Sequence, residues 1–310
     1  MQNYSIFLRW QYVFQKNVRK SGNFAVSVRY ICCFAVSIVS LQPILNLFCD
    51  IIKAMISKNR IKYIHSLELK KYRKADEVFV AEGWKVVGDL LSHFQPVYLA
   101  ATAEWFDTNR ENKRFFPAET DVVTEEELRR ASLLETPQQV IALFRQRRHE
   151  VKLLDVAGKE LCLMLDDVQN PGNLGTIVRL ADWFGIEHVF CSQGCADIYN
   201  PKTVQATMGA MARVCVHYLS LEDALAQLNG AVPVYGTFLD GDSLYEKSLT
   251  SHGIIVMGNE GRGVSDGVAR YVTERLLIPN YPPGRPTSES LNVAIATAVV
   301  CAEFRRETPP

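Results

Sequence analysis

Eight cysteines occur in this chain (Cys32, Cys33, Cys49, Cys162, Cys191, Cys195, Cys215 and Cys301), and no two of them stand at the CxxC spacing. Several sit inside apolar runs such as LCLML, which argues against a disulfide framework and for reduced, buried thiols in a cytoplasmic protein. Cys191 and Cys195 form a CxxxC with no second ligand pair, a poor arrangement for zinc. Net charge is also missing, because 34 Lys and Arg balance 34 Asp and Glu. The whole-chain charge therefore says nothing about nucleic acid. The dinucleotide fingerprint GxGxxG is absent, and the glycine-rich loop near residue 260 lacks the Gly-Lys-Ser/Thr of a phosphate loop. No internal repeat or low-complexity tract is present. None of the six histidines (positions 65, 93, 149, 188, 217 and 252) falls in a motif, and they are expected to be structural or exposed.

The charge that is present is unevenly spread. Residues 1–54 carry six Lys or Arg against one acid, residues 55–154 seventeen against fifteen, and residues 155–310 eleven against eighteen. A basic front and an acidic back suggest different tasks. Tyr30 to Cys49 runs without a formal charge, a length that suits a membrane anchor. Gln42, Pro43 and Asn46 interrupt it, and no small-residue cleavage site follows. Met55 already opens what reads as a domain start. Three readings of residues 1–54 stand side by side: an extension upstream of the true start, a membrane anchor, and a disordered or partner-binding tail.

After Met55 the pattern is globular. VFVAE (78–82), PVYLAA (96–101) and VIALFR (140–145) read as strands, and Thr124 to Glu127 is a capping box that opens a helix. Residues 146–160 are polar and make the expected linker. Beyond it, strands at LCLMLD, HVFC, RVCVHYL, VPVYGT, GIIVMG and RLLIP alternate with helices, one of them expected over 173–184 and a last one over 288–306. This alternation predicts an α/β fold with a parallel sheet covered on both faces. The domains are expected at 55–150 and 155–306.

Three segments stand out for chemistry. In LDDVQNPGNLGTIVRLADWFG (165–185) a strand, an Asn-Pro-Gly turn and a helix follow one another, and Arg179 lies off the apolar stripe. On spacing alone, a solvated surface arginine is favoured over a phosphate contact. In IIVMGNEGRGVSD (254–266) glycines follow a strand's carboxyl end, where backbone and ligand can approach closely. In LLIPNYPPGRPTSESLNVAIATAVVCAEFRR (276–306) a Pro/Gly-rich loop leads to Ser290-Leu291-Asn292 at the start of a helix. Backbone amides at such a start suit a polar ligand.

Taken together and in this order, the segments NPGNLGTIVRLADWFG, MGNEGRGVS and IPNYPPGRPTSESLNVAIA resemble the three motifs of the SpoU/TrmH family of RNA methyltransferases, in the SPOUT superfamily. The stretch 55–150 resembles that family's small α/β substrate-binding domain, so the likeness covers 55–306 and none of 1–54. The resemblance implies a C-terminal SPOUT domain with a parallel sheet and a deep trefoil knot, a homodimer, and S-adenosyl-L-methionine as cofactor. It implies that Gly258, Ile278 and Leu291, with Thr237 as a weaker match, contact the cofactor. Asn173, Arg179, Glu260, Ser290 and Asn292 would form the catalytic pocket. The stretch between Ile278 and Leu291 is longer than the family's compact pattern.

The implied reaction is methyl transfer to a ribose 2′-hydroxyl of rRNA or tRNA. An in-line displacement needs the oxygen close and partly deprotonated. Arg179 is the electrostatic candidate and a poor base, since a guanidinium does not give up its proton. No metal is expected, because the leaving group is a neutral thioether. Two basic runs, from Lys58 through Lys62, Lys70, Lys71 and Arg73 to Lys74 and from Arg145 to Arg148, are candidates for tracking an RNA backbone. The alternatives are a non-catalytic RNA-binding assembly factor and a base-modifying SPOUT enzyme.

Overall fold

The computed structural model describes residues 56–147, 151–282, 285–286, 288 and 290–306. The first 55 residues, and with them the Tyr30 to Cys49 run, lie outside the described residues. Among the described residues no helix is long and apolar enough to cross a membrane.

The first part of the described chain builds helices α1 (Lys58–Ser66) and α2 (Lys70–Asp76), strand β1 (Val78–Glu82), α3 (Trp84–Leu91), β2 (Pro96–Ala101), α4 (Ala103–Thr108), β3 (Thr120–Val122), α5 (Glu125–Ala131) and β4 (Val140–Arg145). Its four-stranded sheet has the order β1-β4-β2-β3. It is mixed: β4 runs antiparallel to both neighbours, while β2 and β3 are parallel. The three strands read from the sequence hold to the residue, because each is a short apolar run that is buried along most of its length. The Thr124 capping box also forms: its hydroxyl accepts from Glu127 N at 3.3 Å, and the Glu127 carboxylate accepts from Thr124 N at 2.9 Å.

The second part comprises α6 (Leu153–Ala157), β5 (Leu161–Leu165), α7 (Pro171–Trp183), β6 (His188–Cys191), α8 (Pro201–Thr207), β7 (Cys215–Tyr218), α9 (Leu221–Ala226), β8 (Val234–Ser243), β9 (Gly253–Met257), α10 (Asp266–Ala269), β10 (Glu274–Leu277) and α11 (Val293–Arg306). Six strands form one sheet in the order β10-β8-β9-β5-β6-β7, and every neighbouring pair is parallel. The α/β class and the parallel sheet expected from the strand–helix alternation are what the structure has. Successive side chains of a strand point to opposite faces, and β5 uses both. Leu161, Leu163 and Leu165 join a core with Ile177 and Val178 of α7 and Val300 and Phe304 of α11. Cys162 and Met164 face a second core with Leu153, Leu225 and Val268, from α6, α9 and α10.

Several boundaries differ from expectation, each for a physical reason. The linker contains α6, because Leu153 and Ala157 are buried against the second core. Helix α7 starts at Pro171 rather than 173: Asn170 caps it and proline suits the first helical position. Helix α11 starts at Val293 rather than 288, since the prolines upstream do not support a helix and Asn292 caps the first turn. Strand β8 runs on to Ser243, but it leaves β9 after Gly236 and rejoins β10 only at Asp242.

The two parts share one apolar core. Phe79 and Phe144 of the first sheet cluster edge and face with Phe94, which precedes β2, and Tyr199 of the second part packs at a tilt on Phe79 with centroids 4.9 Å apart. Beside this contact, Arg73 is buried and pairs with Asp197 at 2.6 Å while also donating to the carbonyls of Leu67 and Glu68 at 2.7 Å. That corrects one expectation: Arg73 belongs to the interior and does not face RNA, although Lys58, Lys62, Lys70, Lys71 and Lys74 of the same run are exposed.

Candidate active site

The site is built from three turns at the carboxyl ends of β5 and β9 and at the start of α11. In the first turn, Asn170 Oδ1 accepts from Gly172 N at 2.8 Å and Asn173 N at 3.2 Å, which satisfies two donors a helix start leaves open. This holds Asn173 in the first turn of α7. In the second turn, Asn259 plays the same part. Its Oδ1 accepts from Gly261 N at 2.9 Å and Arg262 N at 3.2 Å, and its Nδ2 donates to Asp167 O at 2.9 Å. The turn closes through paired backbone bonds between Asn259 and Gly263, and Gly263 has φ +70, a conformation that favours glycine. Gly258 admits no side chain, since a Cβ there would lie 2.2 Å from the Gly263 carbonyl carbon. In the third turn, Asn292 Oδ1 accepts from Ala294 N at 3.0 Å and Ile295 N at 3.3 Å.

These caps bring four of the five expected pocket residues together. Asn173 Nδ2 donates to the Glu260 carboxylate. Asn292 Nδ2 donates to Asn173 Oδ1 at 3.1 Å. Ser290 Oγ reaches the Glu260 carbonyl at 3.5 Å. Three remote segments are thus joined in one chain of neutral and charge-assisted hydrogen bonds, in which Glu260 anchors Asn173 and Asn173 anchors Asn292.

Arg179 is not part of this chain. It lies on the outer stripe of α7 with Thr176 and Trp183, is exposed, and has neither ion pair nor hydrogen bond among the described residues. Trp183 on the same stripe is 83% exposed. Among the residues expected to contact a cofactor, Gly258 follows β9 and Ile278 follows β10, both half-buried, and Leu291 precedes Asn292. Thr237 marks the point where β8 leaves β9, with its hydroxyl 4.0 Å from the Met257 sulfur.

Sequence reasoning missed Asp166, Asp167 and Asn259. Buried Asp166 accepts from Ser265 N at 2.8 Å. Asp167 has φ +59 and binds both Asn259 and Arg262. The signal for the two aspartates in the sequence is a pair of adjacent acids where an apolar strand ends. A cavity of about 840 Å³ lies elsewhere, along the edge strand β7, lined by Arg147, Lys152, Tyr199, His217 and Tyr218. None of the expected site residues lines it, and the Tyr199 and Tyr218 hydroxyls are already engaged with backbone groups.

Comparison with known proteins gives a consistent result. Residues 160–302 match the SpoU rRNA Methylase family, and residues 58–142 match an MRM3-like substrate binding domain. The chain is 29% identical over 248 residues to the 23S rRNA (guanosine(2553)-2′-O)-methyltransferase RlmP of Bacillus subtilis, covering 79% of this chain and 96% of that protein. It is 43% identical, with a TM-score of 0.73, to the structure of a putative RNA methyltransferase of the TrmH family from Porphyromonas gingivalis, covering 82% of this chain and 100% of that one. An AdoMet-bound rRNA methyltransferase from Sinorhizobium meliloti is 28% identical with a TM-score of 0.72, covering 83% of this chain and 98% of that one. With its three motif turns joined in one cluster, this chain belongs to the SpoU/TrmH family of RNA methyltransferases.

Proposed function

We propose that the protein transfers a methyl group from S-adenosylmethionine to a ribose 2′-hydroxyl of ribosomal RNA. The observation that carries the reading is the Glu260–Asn173–Asn292 chain of hydrogen bonds, set beside the glycine turn that follows β9. The B. subtilis relative, which this chain covers almost completely, is named for that reaction.

Thr237, Gly258, Ile278 and Leu291 would hold the cofactor, and their chemistry fits it. They offer one hydroxyl, two apolar side chains and a backbone stripped of its Cβ, with Gly258 and Ile278 at the carboxyl ends of parallel strands, where such sheets take ligands, Thr237 where β8 leaves β9, and Leu291 just before α11. A ligand with an apolar ring and a cationic centre meets no opposing cation among them. When bound, S-adenosylmethionine supplies an electrophilic methyl whose leaving group is a neutral thioether. Asn173, Ser290 and Asn292 orient the ribose by neutral hydrogen bonds, and Glu260 holds Asn173 in place. Arg179 grips the adjoining phosphate and stabilises charge developing on the 2′-oxygen.

Residues 55–150 act in this reading as the RNA-binding domain and 155–306 as the methyltransferase domain, working as a homodimer in the cytoplasm. The partner surface is supported by Trp183, Leu291 and Ile295, apolar yet exposed on or beside the packed helices α7 and α11. Arg179 shares the Trp183 stripe, so it serves a site at that interface. The deep trefoil knot belongs to the same reading. Strand β10 lies at the sheet edge, yet α11 after it returns to pack on α7, and that doubling back supports a threaded chain.

Calorimetric titration with S-adenosylmethionine tests the proposal against a non-catalytic assembly factor of the same fold. Saturable binding with one site per protomer is expected, and no heat of binding at millimolar cofactor would favour the assembly factor.

A further inference from the structure

Arg262 stands in the same turn as Glu260, yet the hydrogen-bond chain of the site leaves it out. Its side chain is 73% exposed, and one nitrogen, Nη2, is held by the Asp167 carboxylate. Its Nε and Nη1 have no partner among the described residues.

Asp167 is itself fixed from several sides. Its N–H donates to Ser192 Oγ at 2.9 Å, and its carbonyl accepts from Asn259 Nδ2 at 2.9 Å. Its two carboxylate oxygens accept from Gln169 Nε2 at 3.0 and 3.1 Å. The carboxylate also packs so closely on Gly194 that a Cβ there would lie 2.3 Å from Oδ1. A carboxylate with no room to swing therefore holds one edge of a guanidinium whose other donors open to solvent. A loop staple alone would not need those donors free. A guanidinium with one nitrogen anchored is pre-ordered to reach the oxygens of an oxyanion with its remaining donors, so less freedom is lost when it binds.

The placement names the ligand. Arg262 is two residues from Glu260, whose carboxylate orients the group read above as binding the target ribose. In RNA each ribose is flanked by phosphodiesters, within reach of a long side chain. We propose that Arg262 binds a backbone phosphate beside the target nucleotide, with Asp167 as the positioning residue that aims it. The inference rests on the ribose-methylating reading of the cluster.

Wild type, R262A, R262K and D167N are compared on in vitro transcribed, unmodified 23S rRNA. Methylation kinetics are measured alongside filter binding of the same transcript over a salt series. R262A is expected to raise KM roughly tenfold, about what one charge-assisted hydrogen bond supplies, with kcat and S-adenosylmethionine affinity held. It should also make the slope of log affinity against log salt shallower by about one. R262K should recover the slope but not the full KM, and D167N should raise KM while keeping the slope. Wild-type KM and slope in R262A would overturn the proposal, as would a loss confined to cofactor affinity or melting temperature. If wild type methylates nothing, the function proposed above has failed, and the binding slopes still decide for or against Arg262.

Discussion

Asn173 and Asn292, 119 residues apart in the chain, are joined side chain to side chain, with Asn292 Nδ2 donating to Asn173 Oδ1 at 3.1 Å. The same Asn292 uses its carbonyl oxygen to cap α11. One residue therefore serves a helix and a site, and the two roles can be separated. Asn292→Ser keeps a capping oxygen, because serine caps about as well as asparagine, but it is too short to reach Asn173. Its melting temperature should stay within a few degrees of wild type while kcat falls strongly. Asn292→Ala should lose both, with about 1 kcal/mol of stability gone with the cap. Equal kcat in Asn292→Ser and wild type would show that the link to Asn173 does not matter.

Arg179→Ala should abolish methyl transfer and leave S-adenosylmethionine affinity nearly unchanged. The Arg179 side chain is exposed and, among the described residues, makes no hydrogen bond or ion pair to those assigned to the cofactor. If its charge stabilises the transition state, its loss costs on the order of 3–4 kcal/mol. Arg179→Lys should rescue poorly, since an ammonium lacks the planar fork. Mixed dimers of Arg179→Ala and Asn292→Ala subunits should regain activity if the site is shared across the interface. Turnover near wild type in Arg179→Ala, or a loss explained wholly by cofactor affinity, contradicts the role.

Gly258→Ala pushes a methyl to 2.2 Å from the Gly263 backbone, which cannot move without opening the turn that carries Glu260. Overpacking of this kind costs roughly 1–3 kcal/mol. Calorimetry should find S-adenosylmethionine affinity reduced at least tenfold in a protein that still melts cooperatively. Unchanged affinity would remove the glycine turn from the cofactor site.

The buried pair Arg73–Asp197 ties the first part of the chain to the second. Arg73→Met strands Asp197, whose side chain is 16% exposed, and should destabilise by about 3–5 kcal/mol. Adding Asp197→Asn should recover part of that loss in thermal melts. For the same reason, a fragment beginning near residue 155 should melt well below the full chain, because it uncovers Tyr199 and the shared core. A double variant no better than Arg73→Met would show that the pair itself is not what joins the parts.

Legibility in the sequence followed the range of the forces. Strand β1 and the Thr124 capping box were readable because their signals lie within five residues. Helices α1 and α2 were not, because eight Lys, Arg or His side chains between 58 and 74 hide the few apolar positions, such as Ile64 and Leu67, that seat them. Arg73 looked like its exposed neighbours, and only its distant partner Asp197 reveals it as interior. Ser290, Leu291 and Asn292 were all plausible helix openers, and the bonds from Ala294 N and Ile295 N to Asn292 Oδ1 distinguish the cap. The family motifs pointed to Asn173, Glu260 and Asn292, but their contacts span 87 and 119 residues, which no local pattern encodes. Asp167 carried no recognised motif and emerged only from its bonds.

The most direct test is alkaline hydrolysis of unmodified 23S rRNA after incubation with the protein and methyl-labelled S-adenosylmethionine. A methyl on the 2′-oxygen blocks cleavage of the neighbouring phosphodiester. The account predicts label in an alkali-resistant dinucleotide, lost in the Asn292→Ser and Arg179→Ala variants. Label released with mononucleotides as a methylated base, or no incorporation by a protein that binds the cofactor, would contradict it.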